Sequence, residues 1–75
     1  MPTIASLLKG EKGIIKEFNV EEIPLKLIEM GCLPGSTVEL VQHAPFKDPI
    51  YINLDGCFLA IREKTALQIT IEKIA

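Results

Sequence analysis

The sequence predicts a mainly β domain, in which five short strands close into a small β-barrel with one inserted α-helix. Three observations predict it. The chain has 75 residues, enough for a single domain spanning residues 1–75. Five glycines and five prolines divide it into short segments, and most segments alternate apolar with polar residues and are rich in β-branched side chains. Closure is expected because an open sheet of short strands leaves its edges exposed.

One segment has helical spacing. Three apolar side chains recur at positions i, i+4 and i+7, namely Ile23, Leu27 and Met30, which is the spacing of one helix face. Pro24 suits the first turn of a helix, where its missing N–H costs nothing. The spacing therefore predicts a helix over about residues 21–30.

The remaining segments predict strands and tight turns. Strands are expected at residues 12–18, 37–40, 50–54, 57–61 and 67–72, and single turns at residues 4–8, 43–49 and 63–67. The dipeptide Asp55-Gly56 is a strong signal for a hairpin between the third and fourth strands. The fourth strand is apolar on both faces, so we expect it to be the most interior strand. Ile74 falls out of phase with the last strand, which predicts a bulge or a frayed end there.

The composition excludes several classes of protein. The longest uninterrupted apolar run covers only residues 57–61, whereas a membrane-spanning helix needs about 20 residues. Eight basic and ten acidic residues give a net charge of -2, and aromatic residues make up only 5%. Nucleic-acid-binding modules usually carry a basic excess and aromatic side chains for base stacking. We therefore expect a soluble, cytoplasmic protein with no membrane span and no nucleic-acid partner.

An enzymatic function is not expected either. A domain of this size buries only about 60% of the surface of its unfolded chain, so its core is too thin for a deep catalytic pocket. His43 is the only histidine, and it is predicted to lie in an exposed turn without the orienting partner that a general base needs. Residues 10–13 lack the spacing of a phosphate-binding loop.

The metal-ligating side chains leave a second hypothesis open. Cys57 lies in the apolar strand, where a free cysteine behaves as a small hydrophobe. Cys32, His43 and Asp48 are weak candidate ligands for Fe²⁺ or another divalent transition metal. Neither cysteine has the short spacing to a second ligand that is typical of structural zinc sites, so the sequence does not decide whether the protein binds metal.

The predicted helix carries more apolar side chains than one face can bury. Leu25 and Ile28 lie off its apolar stripe, and a helix that is apolar on two sides must bury both or offer one to a partner. Lys26 is expected to tune the approach of that partner. The same apolar face leaves self-association open. The candidate partner-binding residues are Leu25, Lys26, Ile28, Met30 and Leu33.

Four motifs follow one another along almost the whole chain. They are Leu-Leu-Lys-Gly at 7–10 with Gly-Ile-Ile at 13–15, Lys-Leu-Ile-Glu-Met-Gly-Cys-Leu-Pro-Gly at 26–35, Ala-Pro-Phe-Lys-Asp-Pro-Ile at 44–50, and Gly-Cys-Phe-Leu-Ala-Ile-Arg at 56–62, followed by Ala66 and Ile69. In this order and spacing they resemble the motifs of FeoA, the ferrous iron transport protein A family of bacteria.

The resemblance implies an SH3-like β-barrel with an inserted helix. It also implies a small cytoplasmic accessory protein of ferrous iron uptake, which binds and regulates the membrane transporter FeoB at the transporter's cytoplasmic GTP-binding region. On this hypothesis the protein lies at the inner membrane only peripherally, through the transporter. The alternative hypothesis is a transition-metal-binding regulatory module or carrier that uses Cys32 and His43.

Overall fold

Five strands form one antiparallel sheet in the computed structural model, which describes residues 2–74. The strands are β1 (Lys12–Glu17), β2 (Thr37–His43), β3 (Ile50–Leu54), β4 (Cys57–Ile61) and β5 (Thr70–Ile74). Their order across the sheet is β4-β3-β2-β1-β5, and every neighbouring pair is antiparallel. The prediction of a mainly β, five-stranded domain is therefore confirmed. The predicted closure of the strands is not observed: within residues 2–74 the sheet is not closed by hydrogen bonds, because β4 and β5 are its two edges and do not pair with each other.

The predicted helix is shorter than its apolar spacing suggests. A 3₁₀ turn covers Val20–Glu22, and the helix α1 covers only Leu25–Glu29. Ile23 has φ -116° and ψ 131°, an extended conformation that separates the two. A residue that precedes proline is disfavoured in the α region, so Pro24 breaks the helix at Ile23 instead of extending it.

Three further helical turns lie before or between the strands. A 3₁₀ turn covers Ile4–Ser6, a second covers Pro45–Lys47 between β2 and β3, and the short helix α2 covers Glu63–Ala66. The hairpin between β3 and β4 turns at Asp55 and Gly56, whose φ angles are 51° and 98°. Two consecutive positive φ angles are the signature of a type I′ turn, so the hairpin prediction is confirmed.

The core lies on one face of the sheet and is closed by α1, α2 and the N-terminal segment. It consists of fifteen buried hydrophobic residues: Ile4, Leu7, Ile15, Ile23, Leu27, Cys32, Val38, Leu40, Ile50, Ile52, Leu54, Ile61, Ala66, Ile69 and Ile71. Ile4 and Leu7 are fully buried, so the N-terminal segment is part of the core and not a peripheral tail.

The prediction that residues 57–61 form the most interior strand is wrong. These residues form β4, an edge strand that pairs only with β3. Ile61 is buried, whereas Phe58 is 69% exposed and Ala60 is also exposed. A strand that is apolar on both faces can therefore lie at the surface, where it leaves apolar side chains in contact with water.

Two irregularities differ from the sequence prediction. The last strand begins at Thr70 and not at residue 67, because α2 ends at Ala66 and Leu67 is exposed. The register shift in this strand pair lies in β1, between Ile15 and Glu17, whereas Ile74 pairs regularly with Lys12. The bulge predicted at Ile74 is therefore displaced to the neighbouring strand.

Candidate functional site

The five candidate partner-binding residues lie on α1 and in the turn that follows it, and we call them the helix–turn surface (Leu25, Lys26, Ile28, Met30 and Leu33). Leu27 points into the core, which turns its neighbours Leu25 and Lys26 toward solvent. Leu25 is 70% exposed and Leu33 is 47% exposed. Ile28 is half-buried against the core, and Met30 is half-buried. Leu25, Lys26 and Leu33 are therefore the members that a partner can reach most easily.

A groove continues this surface toward the sheet edge. It has a volume of about 380 Å³ and runs between α1 and β4. Lys26, Leu27 and Met30 line one wall, and residues 59–62 line the other. We call it the α1–β4 groove. Because Lys26 and Met30 belong to both features, the helix–turn surface and the groove form one continuous region of the surface.

The rim of this region carries two cations. Lys26 is exposed, and none of the ion pairs formed within the described part of the chain includes it. Arg62 lies at the other rim, where its Nη2 is 3.4 Å from Asp48 Oδ2. An apolar floor between two exposed cations suits an apolar partner segment that carries an acidic residue.

Cys32, the first metal-ligand candidate, is fully buried in the core. Its burial raises the pKa of the thiol to about 11, because a thiolate would lose its hydration there. Metal binding by cysteine requires the thiolate. At neutral pH Cys32 is therefore a neutral core residue.

His43, the second candidate, is the last residue of β2 and is partly buried, not exposed in a turn as predicted. Its Nε2 lies 3.0 Å from the carbonyl oxygen of Leu7. Since that oxygen can only accept, Nε2 is the donor. The other ring nitrogen, Nδ1, is buried and has no hydrogen-bond partner among the described residues. His43 thus joins the end of β2 to the N-terminal segment.

Asp48, the third candidate, uses both carboxylate oxygens within the protein. Oδ1 accepts a hydrogen bond from the backbone N–H of Glu63 at 3.1 Å, and Oδ2 pairs with Arg62. The carboxylate therefore fixes the loop between β2 and β3 against the start of α2. This contact spans distant segments, so the sequence offered no signal for it.

The three candidates do not form one metal site. Among residues 2–74, no group of three or more His, Cys, Asp or Glu side chains is arranged to hold a metal ion. Each candidate has a structural contact of its own instead. Metal binding by this chain stays a prediction that needs a direct titration.

A second apolar feature escaped the sequence prediction. A groove of about 490 Å³ lies on the solvent face of the sheet, between Val41, Tyr51 and Phe58; we call it the outer groove. Phe58 is 69% exposed and Tyr51 is 41% exposed. The sequence signal was the apolar run 57–61, which indicates burial on both faces only if the strand lies inside the sheet.

The open five-stranded sheet with its short inserted helix defines a class of small SH3-like domains. In the comparison of solved structures, FeoA of Stenotrophomonas maltophilia complexed with zinc, described as an SH3 domain protein, superposes with a TM-score of 0.81. The match has 18% sequence identity and covers 96% of this chain and 91% of that one. The SH3-like fold prediction is therefore confirmed.

The family follows from the sequence comparison. The FeoA domain model matches residues 3–73, so the chain belongs to the FeoA domain family. The FeoA protein of Chlorobium tepidum has the same fold, with a TM-score of 0.87, 23% identity, and coverage of 99% of this chain and 71% of that one. The family is an accessory family associated with ferrous iron transport, not a known family of enzymes.

A relative joins this kind of domain to a transporter. The Fe(2+) transport protein A/Fe(2+) transporter FeoB fusion protein of Porphyromonas gingivalis (strain ATCC BAA-308 / W83) is 34% identical over 73 residues. The match covers 96% of this chain but only 9% of the fusion protein. Within residues 2–74, this chain has no helix that is both long enough and apolar enough to cross a membrane.

Proposed function

We propose that this domain is a non-enzymatic accessory of ferrous iron uptake, which binds the cytoplasmic GTP-binding region of a FeoB-type transporter. The observation that carries the proposal is the fused relative, in which an FeoA-like segment and a FeoB transporter are parts of one polypeptide. Fusion holds two modules at a high effective concentration, which is of use when the two modules interact.

The helix–turn surface and the α1–β4 groove are the docking site in this proposal. Leu25 and Leu33 supply exposed apolar contacts, and Lys26 supplies a cation without a partner of its own in the described chain. Apolar side chains that a partner desolvates contribute most of the binding energy of an interface. Exposed charges at its rim mainly affect the association rate.

Regulation follows only if docking favours one transporter state over another. A ligand shifts a conformational equilibrium by no more than its difference in affinity for the two states. The domain would therefore bind the nucleotide-free, GTP-bound and GDP-bound transporter regions with different affinities. The transported Fe²⁺ is cargo of the transporter in this scheme and needs no ligand from this domain.

The test is to measure the affinity of the purified domain for the isolated cytoplasmic region of the transporter, in each nucleotide state. The variant is Leu25→Asp, which places a charge at the most exposed apolar residue of the helix–turn surface. The proposal makes Leu25 a hot spot of the interface, and replacing a hot-spot residue costs about 2 kcal/mol or more, so we expect at least about tenfold weaker binding.

Leu67→Asp is the matched control, because Leu67 is also an exposed leucine (55%) but lies at the end of α2. It should bind like the wild type. The site proposal fails if Leu25→Asp keeps its fold by circular dichroism and binds with wild-type affinity. The whole proposal fails if the wild-type domain does not bind the transporter region in any nucleotide state.

A further inference from the structure

The two edges of the sheet differ in how their backbone groups are satisfied. The start of the β5 edge is covered by the N-terminal segment: Ile71 N–H donates to the Pro2 carbonyl at 3.0 Å, and Ile4 N–H donates to the carbonyl of Ile69, the residue that precedes β5, at 3.1 Å. Thr3 and Thr70 form a bridge between these bonds. The β4 edge has no such cover, because within residues 2–74 β4 pairs with β3 alone.

The type I′ turn determines which backbone groups of β4 face outward. In a two-residue hairpin the flanking residues Leu54 and Cys57 exchange both hydrogen bonds, and bonded and non-bonded pairs then alternate along the strands. The backbone N–H and C=O groups of Leu59 therefore point toward β3, where Leu59 lies opposite Ile52. Phe58 and Ala60 direct their N–H and C=O groups away from β3. None of these four groups has a backbone partner in the described chain.

β4 also lacks the features that usually protect an edge strand. Natural edges carry charged residues, proline or a bulge that prevent pairing with another strand. β4 has the sequence Cys-Phe-Leu-Ala-Ile and pairs with β3 in unbroken register. Its exposed Phe58 borders the outer groove, and Ala60 borders both grooves. The strand is thus an uncharged edge with apolar grooves on both sides.

We infer that this edge pairs with the β4 strand of a second copy of the chain, antiparallel and centred on Leu59. The outward groups lie symmetrically about Leu59, so Phe58 of each copy exchanges two hydrogen bonds with Ala60 of the other. Four hydrogen bonds thereby satisfy all eight outward groups of the two strands. The product is a continuous ten-stranded sheet with a two-fold axis, in which each copy uses the same surface patch.

Charge and side-chain size favour a second copy as the occupant. Asp55 precedes β4 and Arg62 follows it, so an antiparallel copy brings the acidic end of one strand next to the basic end of the other. Arg62 is exposed and pairs with Asp48 in its own chain, and its long side chain can also approach Asp55 of the second copy. The acidic Glu63 does not continue the strand, because it is the first residue of α2. The large Phe58 side chain would lie beside the small Ala60 of the second copy, at the mouth of the outer groove. These two features favour a second copy over an unrelated strand.

The test measures the mass of the full chain in solution, from micromolar to millimolar concentration, by analytical ultracentrifugation. We expect the wild type to convert from monomer to dimer as its concentration rises. Ala60→Pro removes one outward N–H, and proline is tolerated at an edge where its missing N–H faces solvent. Phe58→Lys places a charge on the edge. Each variant should raise the dimer dissociation constant at least tenfold.

The matched controls are Leu67→Lys, which changes an exposed leucine outside β4, and Leu25→Asp, which changes the helix–turn surface; both should dimerise as the wild type does. Amide hydrogen exchange then shows which backbone groups the dimer interface protects. The Phe58 and Ala60 amides should exchange quickly in the monomer and become protected as the dimer forms, while the Leu59 amide is protected in both.

Three results would overturn the inference. The first is a wild type that stays monomeric at millimolar concentration. The second is a dimer whose dissociation constant is unchanged in both β4 variants, which would place the interface elsewhere. The third is a monomer whose Phe58 and Ala60 amides become protected only when the transporter region is added, because the edge would then serve another protein. If the domain does not bind the transporter, the solution mass of the wild type and the dissociation constants of the β4 variants still test the dimer.

Discussion

At the scale of single residues, the two cysteines have different environments. Cys32 is fully buried, whereas Cys57 at the start of β4 is only partly buried. Because desolvation raises the pKa of Cys32 to about 11, its thiol stays protonated over the whole range in which free cysteine ionises. A protonated, buried thiol cannot attack an alkylating reagent.

We therefore predict that brief treatment with iodoacetamide at about pH 8 modifies Cys57 and leaves Cys32 unmodified. Peptide mass spectrometry of the treated protein measures the two sites separately. In concentrated urea both cysteines should be modified to the same extent, which serves as the control. Equal modification of both cysteines in the folded protein would show that the Cys32 thiol is accessible to the reagent, which contradicts the prediction.

The candidate metal ligands were evident from the sequence as residue types, but the contacts that they make were not. His43 contacts the carbonyl of Leu7, and Asp48 contacts Arg62 and the backbone of Glu63. These contacts join segments that only the tertiary fold brings together. A histidine or an aspartate without a visible partner in the sequence is therefore poor evidence for a ligand.

At the scale of secondary-structure elements, local patterns predicted the strands better than the helix. The Asp55-Gly56 turn fixed the β3–β4 hairpin because its positive φ angles favour these residue types. The apolar spacing around Leu27 correctly placed that residue in the core but overestimated the length of α1, since Ile23 cannot easily adopt α geometry before Pro24. Periodicity reports which side chains are buried, not whether the backbone between them is continuous.

The position of β4 in the sheet could not be read from its composition. Its apolar run is the same whether the strand is central or lies at an edge. Only the strand order, which depends on pairings between distant segments, places β4 outermost. The exposed Phe58 is the result, and it is the feature on which the inferred dimer depends.

Gly13 determines how closely β1 and β5 approach each other. A Cβ atom at this position would lie 2.6 Å from Ile71 Cδ1 and 3.2 Å from the Glu72 carbonyl oxygen. Ile71 is 1% exposed, so its side chain has little room to move. We predict that Gly13→Ala lowers the free energy of unfolding by about 1–3 kcal/mol through overpacking, as measured by urea denaturation.

The control for this prediction removes the obstructing atom. Ile71→Val deletes Cδ1 and by itself should cost about 0.5–1.5 kcal/mol. In the double variant the loss should be smaller than the sum of the two single losses, because the residues share one contact. Strictly additive losses would mean that Gly13 is required for a reason other than its packing against Ile71.

At the scale of the whole molecule, the N-terminal segment completes both the core and the sheet. Ile4 and Leu7 are fully buried, and Pro2, Thr3 and Ile4 cover the start of the β5 edge. The sequence predicted a helical turn here but gave no sign that the turn closes the core. Its role depends on contacts with the C-terminal strand, at the other end of the chain.

Leu7 and Leu8 give a matched test of this role. Leu7 is fully buried, whereas Leu8 is 65% exposed. We predict that Leu7→Ala lowers the free energy of unfolding by about 2–5 kcal/mol, while Leu8→Ala changes it by less than about 0.5 kcal/mol. Urea denaturation of both variants measures the difference. Similar values for the two would mean that the segment does not contribute to the core.

The fold as a whole was predicted more reliably than any single element. Five strands, one short helix and the family resemblance together specify the SH3-like domain, and errors in the bounds of α1 or β5 do not change that topology. The open edge at β4 could not be predicted, because closure depends on the geometry of strands that do not pair. A function that depends on this edge is therefore visible only in the structure.

The covered β5 edge also limits how far the sheet can grow. A sheet with two free edges can add molecules at both ends and lengthen into a fibre. Here Pro2 accepts the Ile71 N–H at the start of the β5 edge, and the exposed Glu72 and Lys73 place charged side chains on the rest of β5. Charged residues on an edge strand discourage pairing with another strand. Once two β4 strands have paired, the outer edges of the joined sheet are thus the two protected β5 edges. The inferred pairing therefore favours a stoichiometry of two over growth into a fibre.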